Sequence, residues 1–193
     1  MFLVVGQGNP GPEYERTRHN VGFQVLDRLG LPFRREGKAL LARARIGAEE
    51  GFFLKPLTYY NLTGEAVAPL VRQHGIPPER ILVVHDEMDL PLGRLRLKAG
   101  GSPAGNRGVA SIAQALGTLD FHRLRIGIGK PPSKELGAAY VLSPFALEEL
   151  PLVERVLEAA KEAVLCWAEK GLPPCANRYN ALDLRTLDPR RGL

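Results

Sequence analysis

The chain has 193 residues, of which 45% are hydrophobic and 24% are charged, as is typical of a single soluble globular domain whose core needs no metal or disulfide. Its formal net charge is +5, and 19 of its 26 basic residues are Arg, which suits a polyanionic partner. Two cysteines make no disulfide framework, and no signal-like segment or membrane-length apolar run is present, so we expect a cytoplasmic protein without membrane contact.

Strand-like and helix-like segments alternate along the chain. Apolar or alternating runs predict six strands, at Phe2–Val5, Leu41–Ile46, Gly51–Lys55, Ile81–His85, Arg94–Lys98 and Leu124–Ile128. Helical spacing of apolar residues predicts four helices, at 21–29, 62–74, 109–116 and about 144–170. We expect Pro69 to kink or shorten the second helix and Ser143 with Pro144 to begin the fourth. The alternation predicts an α/β fold with helices on both faces of a sheet, and a loose tail at about 185–193.

Polar segments follow three of these strands directly. Because ligands bind beyond the carboxyl ends of strands in open α/β sheets, parallel strands would bring four side chains to one rim: Asn9, His19, Asn61 and Asp86. A neutral imidazole takes a proton from water near pH 7, a carboxylate orients it, and side-chain amides stabilise an oxyanion. With no activated Ser or Cys nearby, the set predicts direct attack of water on an acyl group.

Simpler explanations exist for each residue taken singly. Considered alone, His19 is better explained as a structural histidine whose hydrogen bonds are satisfied within the protein. Asp86 alone is equally well explained as a helix cap or a solvated loop carboxylate. Asn9 alone is better explained as a turn residue before Pro10. Gly6–Gly11 fits a dinucleotide fingerprint, yet prolines interrupt the helix which that site needs, so an NAD-dependent oxidoreductase is disfavoured. Gly100–Ala104 lacks the closing glycine of a serine nucleophile elbow, and the histidines lack metal-ligand spacing.

Five motifs in order resemble those of the bacterial peptidyl-tRNA hydrolase family. They are GNPG at 8–11, TRHNVG at 17–22, YNLTG at 60–64, HDEMDLP at 85–91 and FHRLRIGIG at 121–129, and the match returns at 176–178. The resemblance implies a single domain over 1–193, an α/β/α sandwich with a mixed, twisted, largely parallel sheet. It also implies a monomeric esterase without cofactor or metal, which cleaves the ester between a peptide and the 3′-terminal ribose of tRNA and binds the acceptor stem and CCA end.

The resemblance implies a role for each matching residue. His19 is the catalytic base, Asp86 is the carboxylate that orients it, and Asn9 and Asn61 hold the peptide end and the reacting carbonyl or water. Positions lining the substrate groove are Tyr14 and Tyr59. Residues linked to tRNA phosphates are Lys98, Arg125 and Lys134.

One motif departs from the family pattern. The family usually opens its third helix with Gly-His-Asn-Gly, whereas this chain reads Gly105-Asn106-Arg107-Gly108. Either Asn106 reaches the substrate from one residue earlier, or Arg107 takes over as a charged donor to a phosphate or an oxyanion. We expect the glycine-rich loop at 100–108 to act as a flexible gate. A non-catalytic RNA-binding relative with the same basic face remains the alternative to an enzyme.

Overall fold

The computed structural model describes residues 1–186, and seven strands form one sheet in that part of the chain. The strands are β1 Phe2–Gly6, β2 Arg34–Glu36, β3 Ala39–Ile46, β4 Glu49–Pro56, β5 Ile81–Glu87, β6 Leu95–Ala99 and β7 His122–Gly127. Their order is β2-β3-β4-β1-β5-β7-β6, with β4, β1, β5 and β7 parallel to their neighbours in this series. The pairs β2–β3, β3–β4 and β6–β7 are antiparallel, so the sheet is mixed and largely parallel, as predicted.

Helices cover both faces of the sheet. They are α1 Val21–Asp27, α2 Gly64–His74, α3 Arg107–Leu116, α4 Gly137–Val141, α5 Leu150–Lys170 and α6 Leu172–Tyr179. Alternate residues of β1 enter two separate cores, since Phe2 and Val4 pack with α1 and α5 while Leu3 and Val5 pack with α2 and α3. Burial on both faces explains why β1 and β5 read as continuous apolar runs. The α/β prediction is confirmed.

Two predicted helix ends differ from the structure. Helix α2 continues through Pro69 to His74, so the proline does not shorten it. Pro69 and Glu65, whose carbonyl loses its helical partner, are both exposed, and water can take that hydrogen bond. The fourth predicted helix begins at Leu150 instead of Pro144, which pairs with Thr17 in an isolated bridge. The carbonyl oxygen of Pro144 accepts a hydrogen bond from the buried Arg18 guanidinium, so this segment is held in an extended form.

The expectation of unpaired cysteines is also wrong. Cys166 of α5 and Cys175 of α6 form a disulfide, with their Cα atoms 6.0 Å apart. The chain reverses at Gly171, so residues nine apart in sequence come together, which linear spacing does not reveal. Of the predicted loose tail, residues 187–193 lie outside the described part of the chain, and Arg185 pairs with Asp183. Within residues 1–186, no helix is long and apolar enough to cross a membrane.

Candidate active site

A cavity of about 520 Å³ opens at the carboxyl edge of the parallel strands. Its walls come from the segments that follow β1, β4 and β5 and from residues around the starts of α3 and α4. Seven of the residues singled out in the sequence line it: Asn9, His19, Tyr59, Asn61, Asp86, Asn106 and Arg107. The remaining walls include apolar side chains of α4, so the cavity joins polar groups to an apolar surface.

His19 and Asp86 form a hydrogen-bonded pair in this cavity. The Nδ1 atom of His19 lies 2.9 Å from Oδ2 of Asp86, whose side chain is 4% exposed. His19 stands in a short 3-10 turn before α1 and is partly exposed to the cavity, whereas Asp86 stands in β5. A carboxylate only accepts hydrogen bonds, so in the neutral imidazole the proton lies on Nδ1 and the lone pair on Nε2.

Backbone packing sets the position of His19. The side-chain amide of Asn20 accepts from the backbone N–H of Asn9 and donates to its carbonyl, both at 2.9 Å, which ties the loop after β1 to the start of α1. At Gly22 a Cβ atom would lie 2.4 Å from the carbonyl oxygen of Val84 and 2.5 Å from the backbone nitrogen of Gln7. The first turn of α1 therefore lies directly against the end of β1 and the middle of β5.

The two amides of the predicted rim differ in their surroundings. The Oδ1 atom of the buried Asn9 accepts the backbone N–H of Tyr60 at 2.6 Å, so its Nδ2 donors are left for a ligand. Asn61 is exposed at the cavity wall, one residue beyond that contact. Both amides can therefore present donors to a carbonyl oxygen in the cavity.

Tyr60 is a site residue that the sequence reasoning did not single out. Its ring stacks on the imidazole of His19, with centroids 3.5 Å apart and planes inclined by 13°, and its hydroxyl donates to Oδ1 of Asp86 at 2.7 Å. Burial, together with the negative charge of Asp86, raises the pKa of Tyr60 well above its usual value, so the hydroxyl stays neutral. The signal available in the sequence was a second tyrosine directly before Asn61, since a tyrosine hydroxyl that becomes buried requires a hydrogen-bond partner.

Asn106 and Arg107 occupy different places. Asn106 caps α3, because its Oδ1 atom accepts the backbone N–H of Val109 at 3.0 Å, and its Nδ2 atom donates to the hydroxyl oxygen of Tyr60 at 2.8 Å. Both the oxygen and the nitrogen of this side-chain amide are therefore hydrogen-bonded within the protein. Arg107 is exposed and lines the cavity, where its guanidinium can meet an anion.

The other predicted ligand-binding residues lie outside the cavity lining. Tyr14 is half-buried in the 3-10 turn at Pro12–Tyr14, and Lys98 and Lys134 are exposed on β6 and just before α4. Arg125 of β7 forms an ion pair with Glu87 at 2.7 Å, and Glu87 does line the cavity. The register pairs Lys98 with Arg123 and Arg96 with Arg125, so these basic side chains lie on one face of the β6–β7 pair, where Arg96 and Lys98 are exposed and Arg123 is buried.

The alternative sites gain no support from the geometry. After Gly6 the chain forms the 3-10 turn at Pro12–Tyr14 and no helix starts within Gly6–Gly11, so the arrangement of a dinucleotide site is missing there. Within residues 1–186, no cluster of three His, Cys, Asp or Glu side chains is placed to hold a metal ion. Gly100–Ala104, the partial match to a serine nucleophile elbow, lies in the loop at 100–106. There the carbonyl oxygen of Ser102 accepts a hydrogen bond from the buried Arg123 at 2.8 Å.

Known proteins resemble this chain over nearly its whole length. The family model for peptidyl-tRNA hydrolase matches residues 3–187. The peptidyl-tRNA hydrolase of Thermus thermophilus is 75% identical over 184 residues, covering 95% of this chain and 98% of that protein. That of Desulfitobacterium hafniense is 45% identical, covering 93% and 100%. A crystal structure of peptidyl-tRNA hydrolase from Acinetobacter baumannii matches with a TM-score of 0.90 at 36% identity, covering 95% of this chain and 96% of that one.

Proposed function

This chain belongs to the peptidyl-tRNA hydrolase family and hydrolyses peptidyl-tRNA, and we propose that it does so with His19 as a general base on water. The observation that supports this most is the pairing of His19 with the buried Asp86 at 2.9 Å in the wall of an open cavity. That pairing leaves Nε2 as the proton acceptor. A neutral imidazole is the side chain best matched to this task near pH 7.

The proposed reaction has two steps. Water attacks the carbonyl carbon of the ester between the peptide and the tRNA ribose, and His19 Nε2 takes one of its protons. The tetrahedral intermediate then collapses, the ribose oxygen leaves, and the imidazolium returns the proton to it. The products are a peptide with a free carboxyl group and a tRNA with a free terminal hydroxyl. No covalent bond to the enzyme is formed, in keeping with a cavity wall that offers amides and an imidazole.

Amide donors stabilise the intermediate in this proposal. The free Nδ2 donors of Asn9 and the exposed amide of Asn61 lie in the same cavity as His19. A donor aimed at the developing oxyanion is typically worth about 3–4 kcal/mol. Tyr59, which is 62% exposed at the cavity wall, offers a ring on which the substrate can pack.

Phosphate recognition is assigned to four basic side chains from different elements, Lys98, Lys134, Arg107 and Arg125. Lys98 and Lys134 are exposed and able to follow phosphates, and Arg107 lies closest to the reacting ester because it lines the cavity itself. Arg125 forms an ion pair with Glu87, so we expect it to contribute less to tRNA affinity than Lys98 or Lys134. We further propose that the enzyme is a cytoplasmic monomer with a single domain, without a metal or cofactor; the chemistry above requires none.

Substitution of the base tests this proposal. For His19→Ala we expect kcat to fall roughly 10²–10⁴-fold, because that is the usual contribution of a general base, while the affinity for tRNA stays the same. His74→Ala is the matched control, since His74 is exposed on α2, outside the cavity lining. Single-turnover hydrolysis of N-acetylaminoacyl-tRNA gives the rate, and undiminished hydrolysis by His19→Ala would refute the assignment.

A further inference from the structure

We propose that Tyr60 and Asn106 are positioning residues for hydrolysis, joined in a directional chain of hydrogen bonds from the amino end of α3 to the imidazole of His19. This inference rests on the proposed role of His19 as the base. In this proposal the two side chains position His19 and need not touch the substrate. It also connects the base to the helix that follows the glycine-rich loop at 100–106.

The direction of each hydrogen bond follows from the one before it. The backbone N–H of Val109 can only donate, so it fixes Oδ1 of Asn106 as the acceptor, and Nδ2 must then point to the oxygen of Tyr60. Because that oxygen accepts from Asn106, its own single proton is turned to Oδ1 of Asp86. The second oxygen of Asp86 is left for Nδ1–H of His19. Each hydrogen bond from Val109 to His19 therefore has one direction, while Nδ2 of Asn106 also lies 3.4 Å from the backbone carbonyl oxygen of Asp86, which can accept its second proton.

Tyr60 is fixed by hydrogen bonds of both its backbone and its side chain, so it can hold His19 in one position. Its backbone N–H donates to Asn9, and its carbonyl accepts the hydroxyl of Thr63 at 2.8 Å. The residue is 4% exposed, so water does not compete for its hydroxyl. Its ring lies parallel to the imidazole, while its hydroxyl holds the carboxylate that holds the same imidazole. One side chain thus sets both the plane and the tilt of His19.

The charges around His19 give the sign of the expected pH effect. Facing it are Asp86 and Glu87 from β5, the neutral Tyr60, and Arg107 from the start of α3. A donor to Asp86 disperses its negative charge, so loss of the Tyr60 hydroxyl leaves more of that charge to stabilise the protonated imidazole. The proton then leaves His19 only at higher pH, and less free base is present at a given pH.

Tyr60→Phe is the direct test, because it keeps the stacked ring and removes only the hydroxyl. We expect kcat for N-acetylaminoacyl-tRNA to fall about tenfold, the value of a hydrogen bond to a charged group, with KM unchanged. The acid limb of the pH profile should move to higher pH. Tyr179→Phe is the control, since Tyr179 is equally buried but belongs to α6, outside the cavity lining.

Asn106→Ser is the second variant, because serine still caps a helix but is too short to reach Tyr60. We expect it to shift the pH profile in the same direction by a smaller amount, with the thermal midpoint of unfolding unchanged. If Tyr60→Phe fails to fold, this variant decides alone. An equal loss of activity at every pH, or wild-type profiles for both variants, overturns the positioning role. An active His19→Ala would instead overturn the general base itself.

Discussion

Asp86→Asn exchanges one oxygen for an NH2 group at constant size, and the structure predicts a large effect. Both carboxylate oxygens accept hydrogen bonds, Oδ2 from His19 and Oδ1 from Tyr60. An amide has only one acceptor oxygen, so it cannot serve both donors. Because Asn106 turns the Tyr60 proton toward position 86, we expect the amide oxygen to face Tyr60 and the NH2 group to face the imidazole. The imidazole then carries its proton on Nε2 and cannot act as a base.

In Asp86→Asn we expect the rate to fall by the full contribution of general-base catalysis, because Nε2 of His19 can no longer accept a proton. General-base assistance is worth roughly 10²–10⁴-fold in rate, or about 3–5 kcal/mol in barrier height. We expect KM to change little, since both oxygens of Asp86 are taken up by protein donors. Single-turnover hydrolysis of N-acetylaminoacyl-tRNA measures the chemical step, and Asp89→Asn, at an exposed carboxylate outside the cavity lining, is the control.

A double variant separates this explanation from simple loss of charge. Adding Tyr60→Phe to Asp86→Asn removes the hydroxyl that competes for the amide oxygen, so the amide can turn its oxygen to His19 and part of the rate should return. Because we expect Tyr60→Phe alone to lower the rate in the parent protein, its effect should change sign with the residue at position 86. Wild-type turnover by Asp86→Asn, or a double variant slower than the single one, would contradict the reasoning.

Further predictions concern affinity and stability. Lys98→Ala should weaken tRNA binding and reduce the slope of log affinity against log salt by about one, whereas Arg125→Ala should do less because Glu87 already pairs with it; filter binding over a salt series measures both. Reducing the disulfide at Cys166 should cost about 2.5 kcal/mol in urea unfolding, from the short loop that it closes, with kcat unchanged. Burial lowers the pKa of His85, so the unfolded chain takes up a proton that the folded protein resists, and the free energy of unfolding should fall as the pH drops below about 6.5. His85→Phe should lose less stability over that range in the same assay.

The parts of the fold that could be predicted from sequence are those with a strong local pattern. Strands β1 and β5 are continuous apolar runs, which only burial on both faces allows. Helix α6 was missed because Pro173 and Pro174 in its first turn hide its periodicity, although prolines are tolerated there. Helix α4 is five residues long and has no buried residue, so no apolar stripe marks it.

For the site, the sequence allowed the assumption that the strands are parallel. It did not allow prediction of the side-chain hydrogen bonds between distant segments. Asn9, Asp86 and Asn61 each follow or end a strand, so their meeting at one edge follows from parallel pairing. The sequence places Tyr60 in a motif beside Asn61 but gives it no role, because its hydrogen-bond partners Asp86 and Asn106 lie 26 and 46 residues away. The choice between Asn106 and Arg107 also depended on which side chain caps α3, and capping geometry is visible only in three dimensions.

The glycine at position 22 has a consequence for behaviour at high temperature. Because Gly22 has no side chain, the main chain of α1 packs directly on the end of β1 and the middle of β5. This contact holds the turn that carries His19 next to the strand that carries Asp86. Heat first increases the motion of exposed side chains and loops, which here form the outer walls of the cavity. The His19–Asp86 pair rests on backbone packing instead, so we expect its separation of 2.9 Å to persist on warming that already loosens the cavity entrance.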